Sequence, residues 1–126
     1  MSVVLDASAV LVLLLDEPGA EVVAPVLSEA VLSAVNLAEV LSKLTDRGAD
    51  VSRLAEDLAA AGVLVEPMTA ADAAQVAELR RIDQGRLLSL GDRCCLALGR
   101  RLAVPVLTAD RAWSELDAGV DVRQVR

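Results

Sequence analysis

Histidine, phenylalanine and tyrosine are absent from all 126 residues, and Trp113 is the only aromatic side chain. Without histidine there is no Ser-His-Asp or Cys-His catalysis, no histidine general base and none of the usual zinc sites. Without Phe and Tyr the chain lacks platforms for stacking bases, which disfavours a dedicated single-strand binder. Its core has to be built from Val, Leu and Ala. The two cysteines, Cys94 and Cys95, are adjacent within a helical pattern. They read as small apolar packing groups rather than metal ligands or a structural disulfide, which suits a reducing cytoplasm. No run approaches the roughly 18 apolar residues of a membrane span, since Asp6 and Ser8 break Val3 to Leu15, and the start lacks the basic residues of a signal peptide. Positive charge is scarce: 12 Lys and Arg against 19 Asp and Glu give a net charge of −7. The molecule as a whole repels nucleic acid, so any such binding needs a local cluster of Arg and Lys.

What is present is an alternation of short apolar runs and helical patterns, read as one α/β domain over residues 1–126 with a parallel sheet and right-handed crossovers. The strand Val3-Val4-Leu5 ends in Asp6, and an apolar helix runs from Ala7 to Asp16. Glu17-Pro18-Gly19 stops it, and Ala20 to Leu27 has the pattern of a short helix that Pro25 either tolerates or cuts. Ala30 to Val35 reads as a buried strand, with Asn36 as N-cap of a helix carrying Leu37, Val40, Leu41 and Leu44 on one face. Glu39 lies off that stripe, near the sheet edge that Asp6 occupies. A helix over 51–61, a strand over 63–67 and a helix from the Thr69/Asp72 capping box to about Ile82 follow. After a loop over 83–88, Ser89 and Asp92 open a helix to about Leu102. Val104 to Thr108 is a strand ending at Ala109-Asp110, which repeats the logic of Asp6, and Val120 to Val125 is an edge strand.

Each acid has a plain explanation: Asp6 and Asp110 as N-caps, Glu39 and Asp92 as capping-box partners, all drawn to the positive ends of helices. The joint pattern goes further. Two strands end in Asp and two helices present acids near their first turns, so four carboxylates could converge on one rim of the sheet. Four negative charges oppose one another there unless a cation joins them. Carboxylates alone favour Mg²⁺ or Mn²⁺.

The runs Val4-Leu5-Asp6-Ala7-Ser8-Ala9, Asn36-Leu37-Ala38-Glu39-Val40, Leu88-Ser89-Leu90-Gly91-Asp92-Arg93 and Val104 to Trp113 stand in the order found in PIN-domain proteins. The sequence resembles that family over essentially its whole length, and specifically the VapC-type toxins of bacterial toxin–antitoxin pairs. The resemblance implies a three-layer fold with a central parallel sheet in the order 3-2-1-4-5. It makes Asp6, Glu39, Asp92 and Asp110 the acidic quartet that holds Mg²⁺ or Mn²⁺, with Ser8 and Thr108 as supporting hydroxyls. It further implies a metal-dependent endoribonuclease, a homodimer, and neutralisation by a VapB-type antitoxin. Among cations near the acids, Arg86, Arg93, Arg111 and Lys43 are the candidates for RNA phosphates, whereas Arg80 and Arg81 fit the polar face of their helix. Trp113 fits core packing better than stacking.

Other readings fit less well. A phosphoryl-aspartate phosphatase calls for a second Asp two residues after the nucleophile, and position 8 is Ser8. A receiver module calls for an Asp at the third strand, where Val63-Leu64-Val65-Glu66 has none. The remaining alternative is a noncatalytic interaction module whose acids only cap helices.

Overall fold

The computed structural model describes residues 2–82 and 88–126. Its five strands, β1 (Val3–Leu5), β2 (Ala30–Ser33), β3 (Leu64–Glu66), β4 (Val106–Thr108) and β5 (Val122–Gln124), form one sheet in the order β3-β2-β1-β4-β5. All four pairings are parallel; Leu5 lies opposite Leu32 on one side and Leu107 on the other. The expected order and direction are those observed.

The central strands are buried along their whole length, as continuous apolar runs covered on both faces must be. Alternate side chains feed two cores. On one face Val3, Leu5 and Leu32 pack with Val10, Val12, Val40 and Leu58, which come from α1 (Ala7–Leu14), α3 (Ala34–Asp46) and α4 (Leu54–Ala60). On the other, Val4, Val31 and Val106 pack with Val76 of α5 (Ala70–Glu78), Leu96 of α6 (Leu90–Leu102) and Trp113. Trp113 is only 1% exposed and is a core residue, as its sequence context suggested.

Several boundaries differ from the sequence reading. The run 30–35 is not one strand: Ser33 ends β2 and caps α3, its Oγ accepting from Val35 N at 3.2 Å. Asn36 is therefore a buried residue in the first turn of α3 and not its N-cap. The segment 20–27 is α2 (Ala20–Val23) followed by a 3-10 stretch over Ala24–Glu29, which takes Pro25 in its first turn, where a missing N–H costs least. α1 and α4 are shorter than expected, and α5 tightens into 3-10 geometry over Leu79–Ile82. The Thr69 and Ser89 capping boxes both form. Among the described residues no helix is long and apolar enough to cross a membrane.

Candidate functional site

Because β1 and β4 are parallel neighbours, the residues that follow them meet at one edge of the sheet. Asp6 N donates to Leu107 O at 3.1 Å, which brings the Asp6 side chain against Thr108. Asp6 is 4% exposed, and its carboxylate is nearly saturated by donors. Oδ1 accepts from Ser8 Oγ at 2.7 Å and Ala9 N at 2.8 Å; Oδ2 accepts from Thr108 Oγ1 at 2.6 Å and Ser8 Oγ at 2.9 Å. Both hydroxyls are oriented in turn, because Ser8 Oγ accepts from Ala109 N and Thr108 Oγ1 from Asp110 N. With their lone pairs directed at those amides, they are left to donate to Asp6. Two hydroxyls thus tie the ends of β1 and β4 together.

Burial raises the Asp6 pKa from 3.8 to about 6, against the lowering effect of the Thr108, Ser8 and Ala9 donors, and the charge of Asp92 raises it further. Asp92 stands in the first turn of α6, where its Oδ2 accepts from Ser89 N at 2.9 Å. Glu39 stands in α3, half-buried, with Oε1 accepting from Asn36 Nδ2 at 2.8 Å. The charges of three of these acids act on one of the two buried thiols, that of Cys95. Cys95 is held protonated first by its burial and then by the charges of Asp6, Asp92 and Glu39. Asp110 is exposed; its Oδ1 accepts from Ala112 N at 2.9 Å, and its backbone reaches Asp6 through Thr108.

Three of the four acids therefore make the capping contacts expected of them, Asp6 to Ala9 N, Asp92 to Ser89 N and Asp110 to Ala112 N. Glu39 does not, since α3 is capped by Ser33 and not by Asn36, which leaves Glu39 in the second turn, out of capping-box register. Among the described residues no group of three acidic or sulfur side chains already stands at ligand distances. The donor chemistry is nonetheless that of a hard divalent cation: oxygens only, with the most buried member, Asp6, raised in pKa first by its burial and to a smaller extent by the charge of Asp92. The residues fit such an ion by chemistry.

A PIN-domain family model matches residues 3–119. The chain belongs to the PIN domain family. No curated protein matches the sequence. Among solved structures, a toxin–antitoxin complex from Klebsiella pneumoniae aligns with a TM-score of 0.76 at 14% identity, covering 99% of this chain and 98% of that one. FitAcB from Neisseria gonorrhoeae aligns at 0.72 and 22% identity, covering 98% and 97%. VapC20 from Mycobacterium tuberculosis, described as a toxin that cleaves the Sarcin-Ricin loop, aligns at 0.70 and 21% identity, covering 90% and 93%. At these identities the likeness is one of fold.

The cations around this PIN site differ in availability. Arg111 and Lys43 are exposed. Arg93 is half-buried and turned back onto α5, Nη1 donating to Val76 O at 3.1 Å. Arg86 lies outside the described residues. Two residues have a place at the site that the sequence reading did not give them, having taken Asn36 as an N-cap and Cys95 as apolar packing. Asn36 links Glu39 to α6, and the Cys95 thiol feels the charges of three acids; the polar Asn36 one turn before Glu39 was the available signal for the first.

Proposed function

We propose that this PIN-domain protein is a Mg²⁺- or Mn²⁺-dependent endoribonuclease and the toxin of a toxin–antitoxin pair. The observation that carries this reading is the placing of the acids at the carboxyl edge of a parallel sheet: Thr108 joins Asp6 to the Asp110 backbone, and Asn36 ties Glu39 to Gly91, the residue before Asp92. Asp6, Asp92 and Asp110 would hold the ion, directly or through water, with Glu39 completing the set. When bound, a divalent ion supplies a more acidic water and neutralises charge on phosphate oxygens.

The chain's own residues do the rest. Ser8 and Thr108 fix the Asp6 carboxylate in one orientation through four short contacts with their partners. Ser89 holds one oxygen of Asp92 and leaves the other directed elsewhere. A pKa of about 6 leaves Asp6 mostly ionised at pH 7, so it is ready to hold a cation. Arg111 and Lys43 supply exposed positive charge for the RNA backbone; Arg93 and Arg86 complete the candidate set.

RNA as substrate is supported by the likeness in fold to a toxin that cleaves the Sarcin-Ricin loop. A VapB-type antitoxin as partner is supported by neighbours that are toxin–antitoxin complexes, one of them VapBC bound to DNA. A homodimer and a cytoplasmic location belong to the same reading. The test is incubation of partner-free protein with structured cellular RNAs in Mg²⁺, Mn²⁺ or EDTA, with Asp92→Asn in parallel. Discrete cleavage that needs metal and is lost in the variant is expected.

The second reading, a noncatalytic module, is favoured by one observation: Asp6, Asp92 and Asp110 all make capping bonds. It predicts no cleavage and no saturable stabilisation by Mn²⁺.

A further inference from the structure

Glu39 owes its position to two residues that bear no charge. Asn36 lies three residues before it on α3, hence on the same side of the helix, and is 1% exposed. Its Nδ2 carries two protons. One goes to Glu39 Oε1 at 2.8 Å and the other to the carbonyl oxygen of Gly91, in the first turn of α6, at 3.0 Å. Both partners are acceptors, so the amide has one workable orientation; flipped, it would set oxygen against two oxygens. That orientation leaves Oδ1 buried without a partner. An apolar side chain there would avoid the unsatisfied amide oxygen, so what the amide contributes at this position is the two bonds made by its nitrogen.

Gly91 supplies the other half. Glycine is a poor helix former, and nothing about the first turn of α6 calls for one. What calls for it is Glu39. A Cβ built on Gly91 would overlap the Glu39 carboxylate, 2.6 Å from Cδ and 3.0 Å from Oε2. The obstructed atoms are the end of a flexible side chain, so a methyl group there would displace the carboxylate and leave the fold in place.

We propose that Asn36 and Gly91 form a clamp that seats the Glu39 carboxylate against the first turn of α6, beside Asp92, where it joins the acids in holding a cation. Asn36 and Gly91 are positioning residues, acting through Glu39. The proposal rests on the metal-site reading above. Loss of such supporting contacts typically costs about 10- to 100-fold in metal affinity.

The experiment compares wild type, Gly91→Ala, Glu39→Gln, the double variant and Asn36→Ala by three measurements. In EDTA, Gly91→Ala should melt at or above the wild-type temperature, since alanine favours helix. Calorimetric titration with Mn²⁺ should show its affinity down about tenfold or more, with a similar loss in Asn36→Ala. In the Glu39→Gln background, Gly91→Ala should cause no further loss. Exchange of the Asn36 side-chain amide protons, followed by NMR without metal, should show both protected in wild type and one released in Gly91→Ala. Wild-type Mn²⁺ affinity in Gly91→Ala, or the same loss with and without the Glu39 carboxylate, overturns the clamp. Rapid exchange of both amide protons in wild type overturns it whether or not metal binds. Failure of wild type to bind Mn²⁺ saturably, with both protons protected, overturns instead the metal reading and the role assigned to the clamp, leaving only its geometry.

Discussion

Asp72 and Asp92 occupy the same local motif and face opposite surroundings. Each is the third residue of a helix, in α5 and α6; each accepts from the backbone N–H of its cap, at 3.0 Å from Thr69 and 2.9 Å from Ser89; and each cap hydroxyl accepts in return. Asp72 then meets Arg101, whose Nε lies 3.1 Å from Oδ1, and its pKa is lowered, first by the Thr69 amide and with a smaller contribution from Arg101. Asp92 meets other carboxylates, and its charge raises the pKa of Asp6. A capping box is thus a local device that leaves the second carboxylate oxygen free. Whether that oxygen meets a cation of the protein or adds to an unmet negative charge depends on where the helix begins. Both helices start near the carboxyl edge of the sheet, but α6 packs on the central strands β1, β2 and β4, whereas α5 follows the edge strand β3, where Arg101 reaches Asp72.

The widest separation between the two should be in catalysis. Asp92→Asn should lower metal-dependent cleavage at least about a hundredfold, since a metal-bound site stabilises charge by several kcal/mol, while Asp72→Asn should leave kcat as in wild type. A single-turnover assay on the same RNA measures both, and equal losses would end the distinction.

The pH dependence of stability comes next. Asp6 has a folded pKa of about 6 against 3.8 for its ordinary value, so the folded state binds its proton more tightly than the unfolded state does. Its stabilising contribution is complete below about pH 3.8 and is lost as the pH rises through 6, a change of about 3 kcal/mol for a shift of this size. Asp72 runs the other way: its lowered pKa stabilises above the ordinary carboxylate value and is lost on acidification. Urea melts across pH 3 to 8 in metal-free buffer, wild type against Asp6→Asn, isolate the Asp6 term. A difference that is flat with pH would show that its burial is relieved some other way.

Mn²⁺ should sharpen the same contrast. At about a hundred times the dissociation constant, wild type and Asp72→Asn should each gain about 2.7 kcal/mol, and Asp92→Asn much less, as read by the shift in thermal midpoint. The smallest effect belongs to the cap itself. Asp72→Ala should cost about 1 kcal/mol in a denaturant melt at pH 7, through the capping bond and an ion pair that is partly open to water.

Much of this was legible in the residues. The strand order follows from the family pattern, the two-faced burial from uninterrupted runs such as Val3-Val4-Leu5, and both capping boxes from Thr69/Asp72 and Ser89/Asp92. The reading failed at Asn36. A serine inside an apolar run looks like part of the strand, yet Ser33 ends β2 by offering its Oγ to Val35 N, which moves the helix start upstream and turns Asn36 inward. The partner that gives Asn36 its meaning, the Gly91 carbonyl, is 55 residues away in the chain. No local pattern encodes it.

The residue inventory sets the chemistry available to this protein. With no histidine and a surplus of acids, only carboxylate oxygens remained to build a site, and apolar strands ending in Asp6 and Asp110 directed them to one end of the sheet. Tertiary structure alone decided which acids act together. Capping needs only neighbours a few residues away, so it reads the same for Asp72 and Asp92. Charge repulsion, burial and the space left by a missing Cβ arise between elements, and they exist only once α3 packs against α6 and α6 against β1.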